Sequence, residues 1–198
     1  MSAFLLEDPD CVLIHIPKTA GRSIRMGIWK GQYKGPYFGK LPESLDSYFK
    51  FAFVRNPFDR ICSVWRMFST GSQNSANYKR NWTPDPELQL SDILEIVEDE
   101  SIIYDERRKT FKEIIKHHAI PMTHPFNSIQ EADFVGKFES LEEDWKSICV
   151  KIDKAYEPLP HMNFTESDLA YRESINTENR IRIEKIYRED LETFGYCF

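Results

Sequence analysis

Apolar residues fall into short continuous runs along this chain, and the runs alternate with segments of helical period. Residues 11–16, CVLIHI, are nearly all apolar and are closed by Pro17, which predicts a strand buried on both faces. KTAGRSIRMGIW follows, with a turn at Gly21 and a short helix expected from about Ser23. The order then repeats. Residues 51–54, FAFV, predict a second strand, and Asn56 with Pro57 supplies the cap and first residue of an amphipathic helix through Phe68. A third strand is expected over residues 133–138, DFVGKF, after which Ser140 and Glu143 have capping-box spacing for a helix to about Ile152. Further helices are expected over residues 91–98, 105–118 and 178–193. The last puts Ile183, Ile186, Tyr187, Leu191 and Phe194 on one stripe and stops at Gly195. Residues 69–90 are polar, contain Pro84 and Pro86, and read as a long loop suited to a lid over a site. Strands alternating with helices predict a three-layer α/β domain with a mainly parallel central sheet flanked by helices.

A length of 198 residues fits a single domain, 1–198, with a core that needs no metal or disulfide staple. With 41% hydrophobic and 29% charged residues, the chain is globular rather than disordered. Cys11, Cys62, Cys149 and Cys197 are far apart and form no C-x-x-C pair, so neither a metal site nor a redox dithiol is expected. The first residues lack a basic segment and their apolar run is broken at Glu7 and Asp8. No stretch approaches the length of a membrane span, and a cytoplasmic location is expected. The net charge of −6 argues against nucleic acid as a partner. That total hides an asymmetry, because residues 1–80 carry a local +6 and the remainder −12. An anionic ligand would suit the first half.

In parallel sheets ligands sit at the carboxyl ends of strands. The loop Pro17-Lys18-Thr19-Ala20-Gly21-Arg22-Ser23 is placed there, with backbone amides, a helix start, a lysine and two hydroxyls available to an anion. It is not the Walker pattern, since its lysine precedes the glycine. On spacing alone it reads equally as an anion cradle or as an ordinary turn. The second loop shifts the balance: FVRNPFDRICSVW puts Arg55 at another strand end and Ser63 one to two turns into the next helix, a pair suited to a second phosphate.

HIPKTAGRS followed by FAFVRNPFDRICSVW, then DFVGKFESLEEDW and a terminal YREDLETFGY, resembles the sulfotransferases that use 3′-phosphoadenosine 5′-phosphosulfate (PAPS). The resemblance is specifically to the branch that holds Golgi carbohydrate sulfotransferases and many short bacterial relatives. The resemblance runs from about residue 11 to the end and implies a P-loop-NTPase-like fold. It also implies PAPS as donor, the bisphosphate PAP as product, no metal, and a hydroxyl-bearing acceptor such as a sugar or small molecule. By the same resemblance Lys18, Thr19, Ala20, Gly21, Arg22 and Ser23 surround the 5′-phosphate and sulfuryl group, and Arg55 and Ser63 bind the 3′-phosphate. Arg172 matches a late loop on the cofactor side. Arg22 departs from the family, which has Thr or Ser there; a guanidinium still binds phosphate bidentately.

Sulfuryl transfer is an in-line displacement that a protein assists by positioning and cationic stabilisation, and Lys18 would stabilise or protonate the departing phosphate. A hydroxyl acceptor needs a base. Relatives use a His or Glu between the two loops, but residues 24–54 contain no histidine. Glu43 is the first candidate and His15 the second, each set against an ordinary role as a solvated acid or an orienting residue. Asp46, His124 and His161 are weaker candidates, and His117 and His118 read as favourable charges at a helix end. Trp29, Tyr33, Tyr37, Phe38, Tyr48 and Phe49, interleaved with lysines, suit either an acceptor platform or the core. Two readings compete with a sulfotransferase. A nucleotide kinase would require a Walker lysine; a non-catalytic PAP- or PAPS-binding module would have lost its base.

Overall fold

The computed structural model describes residues 2–38, 41–71, 82–102, 110–160 and 170–198. They form two compact units, Met1–Arg55 with Met122–Met162, and Asn56–Pro121 with Asn163–Phe198. Among the described residues no helix is long and apolar enough to cross a membrane.

The first unit is a mixed α/β structure around five strands, β1 (Ser2–Leu6), β2 (Cys11–Ile14), β3 (Tyr33–Phe38), β4 (Lys50–Val54) and β5 (Phe134–Lys137). They lie in the order β3-β1-β2-β4-β5. β2, β4 and β5 run parallel, in a register that pairs Ile14 with Ala52 and Val54 with Lys137. These are the three strands expected from the apolar runs. β1 and β3 were not expected; β1 pairs antiparallel with both β2 and β3, so the sheet is mixed, with β1 alone running against the other four strands. SAFLL shows no alternation of its own and becomes a strand by folding back onto β2 through the turn at residues 7–10. β3 contains Gly35 and Pro36, which argue against a central strand but are tolerated at the sheet edge it occupies.

Leu13, Phe51 and Phe53 project from one face of the sheet into a core with Phe4, Leu6, Ile24, Trp29, Trp145 and Ile148. Each such side chain contributes about 1.5–3 kcal/mol of burial. Val12, Ile14, Ala52 and Val54 on the other face are buried too, which is why these strands read as continuous apolar runs. Trp29 is therefore core and no acceptor platform. α4 (Leu141–Lys151) follows β5 closely, but without the expected capping box. The Lys137 amide and the Ser140 hydroxyl both donate to Asp144 Oδ2, at 2.7 and 2.8 Å, so a carboxylate one residue beyond Glu143 ties the strand end to the helix.

The second unit is helical: α1 (Pro57–Ser69), α2 (Leu90–Glu98), α3 (Phe111–Ala119), α5 (Ala170–Ser174), α6 (Thr177–Ile186) and α7 (Arg188–Phe194). α1 starts as expected, with the Asn56 side chain accepting from the Phe58 amide at 3.1 Å and Pro57 in the first turn. The single terminal helix expected from the stripe is instead two helices. Tyr187 leaves helical geometry between them, its ring fully buried and its hydroxyl donating to the Ala119 carbonyl. Gly195 closes α7 at φ +67°, a left-handed stop that a side chain disfavours. Buried Arg60 donates to the carbonyls of His118 and Ile120 at 3.1 and 2.7 Å and satisfies the end of α3. His118 Nδ1 lies 2.8 Å from the Ile114 carbonyl, within its own helix. Trp82 packs on Phe68 with ring centres 4.6 Å apart, a core position. The centre of the expected lid, residues 72–81 with Tyr78, and the expected helix start at 105–109 lie outside the described residues.

Candidate functional site

Because β2, β4 and β5 are parallel neighbours, their carboxyl ends emerge along one edge of the sheet. The segments leaving those ends begin at His15, Arg55 and Phe138. Arg55 is the middle one. It is only 5% exposed, its Nη1 donates to the Lys18 carbonyl at 3.4 Å, and its guanidinium carbon lies 4.1 Å from the centre of the Phe138 ring. Topology thus joins the two loops that the sequence separates by over thirty residues.

The loop after β2 has an unusual backbone. Lys18 and Ala20 adopt φ of +71° and +70°, whereas Thr19 and Gly21 between and after them do not. Left-handed geometry costs a residue with a side chain roughly 1–2 kcal/mol. Alternating signs of φ are a backbone pattern in which successive amides turn toward one concavity, a geometry suited to an anion. Neighbouring groups hold this shape. Thr19 Oγ1 donates to the Ile16 carbonyl at 2.9 Å, and Arg25 Nε donates to the Gly21 carbonyl at 3.3 Å. The His15 ring packs against Gly21 so closely that a Cβ there would fall 2.1 Å from His15 Cδ2. Phe4 meets the same imidazole edge-on, with ring centres 5.8 Å apart.

These contacts revise several expected roles. The one hydroxyl proton of Thr19 goes to a carbonyl, so any donation from Thr19 to an anion comes from its amide. The helix expected after the loop is a six-residue turn of π geometry, Ser23–Ile28, too short to supply much of a positive end. Lys18 and Arg22 are half-buried and Ser23 is buried. His15 lies at the base of the loop, half-buried. Glu43 and Asp46 are exposed, Glu43 opening a single turn of 3-10 helix at Glu43–Leu45. His124 Nδ1 accepts from the Phe126 amide at 3.2 Å, which assigns that nitrogen no proton. His161 lies outside the described residues.

Two of the expected residues belong to the second unit. Ser63 is on α1 and 3% exposed. Arg172 is exposed on α5, its guanidinium stacked over Tyr171 and Phe198 at 5.3 and 5.1 Å. As for the thiols, burial pushes Cys11 up to about 12 and raises Cys149, so both are protonated packing groups. Sequence reasoning missed Arg25 and Phe138. The first was marked only by its spacing of four from Gly21, the second only by the pairing of β5 with β4.

Comparison with known proteins agrees with the geometry at the level of family. The chain is 26% identical over 187 residues to carbohydrate sulfotransferase 11 of Rattus norvegicus, covering 83% of this chain and 51% of the relative. Over 186 residues the identity to the Mus musculus protein of the same name is also 26%, with the same coverage. The chain thus spans about half the length of the curated relatives it matches. No solved structure matches it. The sulfotransferase family matches residues 36–197, beginning beyond the first loop and taking in Arg55, β5 and all the helices from α1 on. A match over most of its length places the chain in the sulfotransferase family.

Proposed function

We propose that this protein transfers the sulfuryl group of PAPS to a hydroxyl acceptor, and that the acceptor is a carbohydrate. The observation that carries the reading is the left-handed loop at Lys18 and Ala20 tied to Arg55 across adjacent parallel strand ends. The family match supports sulfuryl transfer, and the names of the relatives support the acceptor class. The reading takes the chain as one sulfotransferase domain, since the matched stretch runs through both units. It also takes the fold as the three-layer P-loop-like type, with residues 17–23 in the place of the phosphate loop.

The residues present suit a sulfated nucleotide. Amides of the alternating loop bind the 5′-phosphate, with Lys18 and Arg22 adding charge. Arg55 sits at the neighbouring strand end for the second phosphate that distinguishes this donor from ATP. When bound, PAPS supplies an activated sulfuryl group and leaves as PAP. The acceptor oxygen bonds to sulfur as the bridging S–O bond breaks, and that electron pair ends on the 5′-phosphate. Lys18 stabilises this developing charge, and its half-buried position strengthens the effect. The acceptor's proton passes to Glu43 or His15, the two groups of the first unit proposed for it.

Transfer of labelled sulfate from PAPS to a panel of sugars tests the reading. Acceptor-dependent transfer is expected, with Lys18→Ala lowering it by at least about a hundredfold, in the range of a lost electrostatic stabiliser. Glu43→Gln and His15→Gln identify the base by which of them flattens the pH profile. PAP binding without transfer to any acceptor would replace the reading by a non-catalytic bisphosphate-binding module.

A further inference from the structure

A residue outside the expected site contacts the backbone of the loop. Arg25 donates from Nε to the Gly21 carbonyl, and its guanidinium carbon lies 3.9 Å from the centre of the Phe4 ring and 5.2 Å from that of Tyr33. Phe4 and Tyr33 themselves meet edge to face at 5.3 Å. Phe4 also contacts His15, whose ring packs against the Cα side of Gly21. Gly21 is therefore fixed from two directions, and Phe4 backs both.

In a trans peptide the carbonyl and the following amide point in opposite directions. A donor that fixes the Gly21 carbonyl thereby fixes the direction of the Arg22 amide. Arg55 does the same at the Lys18 carbonyl for the amide of Thr19. Two left-handed residues with side chains persist only where their surroundings over-determine them, and these two guanidinium groups hold carbonyls on either side of Ala20.

We infer that Arg25 is a positioning residue for the 5′-phosphate: stacked on Phe4, it clamps the Gly21 carbonyl and keeps the loop amides aimed at the anion. The inference rests on the PAPS reading above. It is distinct from that reading in its claim, because Arg25 touches no substrate and acts through the loop backbone. Preorganisation of this kind raises affinity by lowering the cost of ordering the site.

Titration calorimetry with PAP and with adenosine 3′-phosphate separates the two claims. PAP carries the 5′-phosphate and the other probe does not. Wild-type protein is expected to bind PAP at least about tenfold more tightly, the effect of about 1.4 kcal/mol. In Arg25→Ala that preference falls to about threefold or less, while affinity for adenosine 3′-phosphate stays the same. A general loss of structure lowers both affinities together and does not produce this pattern. If Arg25→Ala does not fold, Phe4→Leu, which removes the stacking ring but keeps apolar bulk, is expected to reduce the preference in the same direction. An unchanged preference in the folded variant overturns the role of Arg25 and leaves the PAPS reading standing. A wild-type protein without the preference overturns both.

Discussion

The chain leaves β2 and β4 in contrasting ways. After β4 every local rule is obeyed: Asn56 caps, Pro57 opens the first turn, and thirteen residues of regular helix follow. After β2 the rules are broken. Two residues with side chains go left-handed, a glycine is pressed against an imidazole, and the helical segment that follows is six residues of π geometry. The first turn is stabilised by its own sequence, the second by neighbours that hold its carbonyls. Strain retained in this way concentrates where a backbone must present amides to a ligand. The contrast separates a segment shaped by its own sequence from one shaped by its neighbours, which on the proposed reading cradles the 5′-phosphate.

Substitutions in the two segments are expected to act differently. Gly21→Ala has the largest effect, since its Cβ meets the His15 ring. It is expected to destabilise by about 1–3 kcal/mol in chemical denaturation and to weaken PAP binding by more than about tenfold, an energy of about 1.4 kcal/mol. Adding His15→Ala removes the clash, so the double variant is expected to be more stable than the sum of the singles. Strict additivity would show that the two do not touch. Asn56→Ala is smaller, a loss of about 1 kcal/mol from the missing cap. Ala20→Gly has the smallest effect and the opposite sign. Relief of left-handed strain is expected to stabilise the protein by up to about 1 kcal/mol, and a clear loss in urea unfolding would contradict the strained loop.

How much was legible follows the same division. The three parallel strands and the start of α1 could be read directly, because continuous apolar runs and Asn-Pro caps are local signals. β1 and β3 could not, since one is defined by a turn that folds it back and the other by its place at an edge. The capping box at Ser140 failed because the Ser140 hydroxyl donates to Asp144, one residue beyond Glu143, and makes no cap to the first turn of α4. Lys18, Gly21 and Arg55 were legible as a pattern of cations and glycine at strand ends. Phe138, Arg25 and the packing of His15 against Gly21 were not, because strand pairing and ring stacking bring those groups together.

On the proposed reading the loop at Lys18 and the guanidinium of Arg55 together bind a nucleotide with two separated phosphates. The melting temperature with saturating PAP against the same concentration of AMP, in wild-type protein and Arg55→Ala, tests this. At a hundred times its Kd, PAP adds about 2.7 kcal/mol, a rise of roughly 5–10 °C for a chain of this size. AMP is expected to give a much smaller rise, and Arg55→Ala to remove the difference between them. Equal rises with PAP and AMP in the wild-type protein would contradict it.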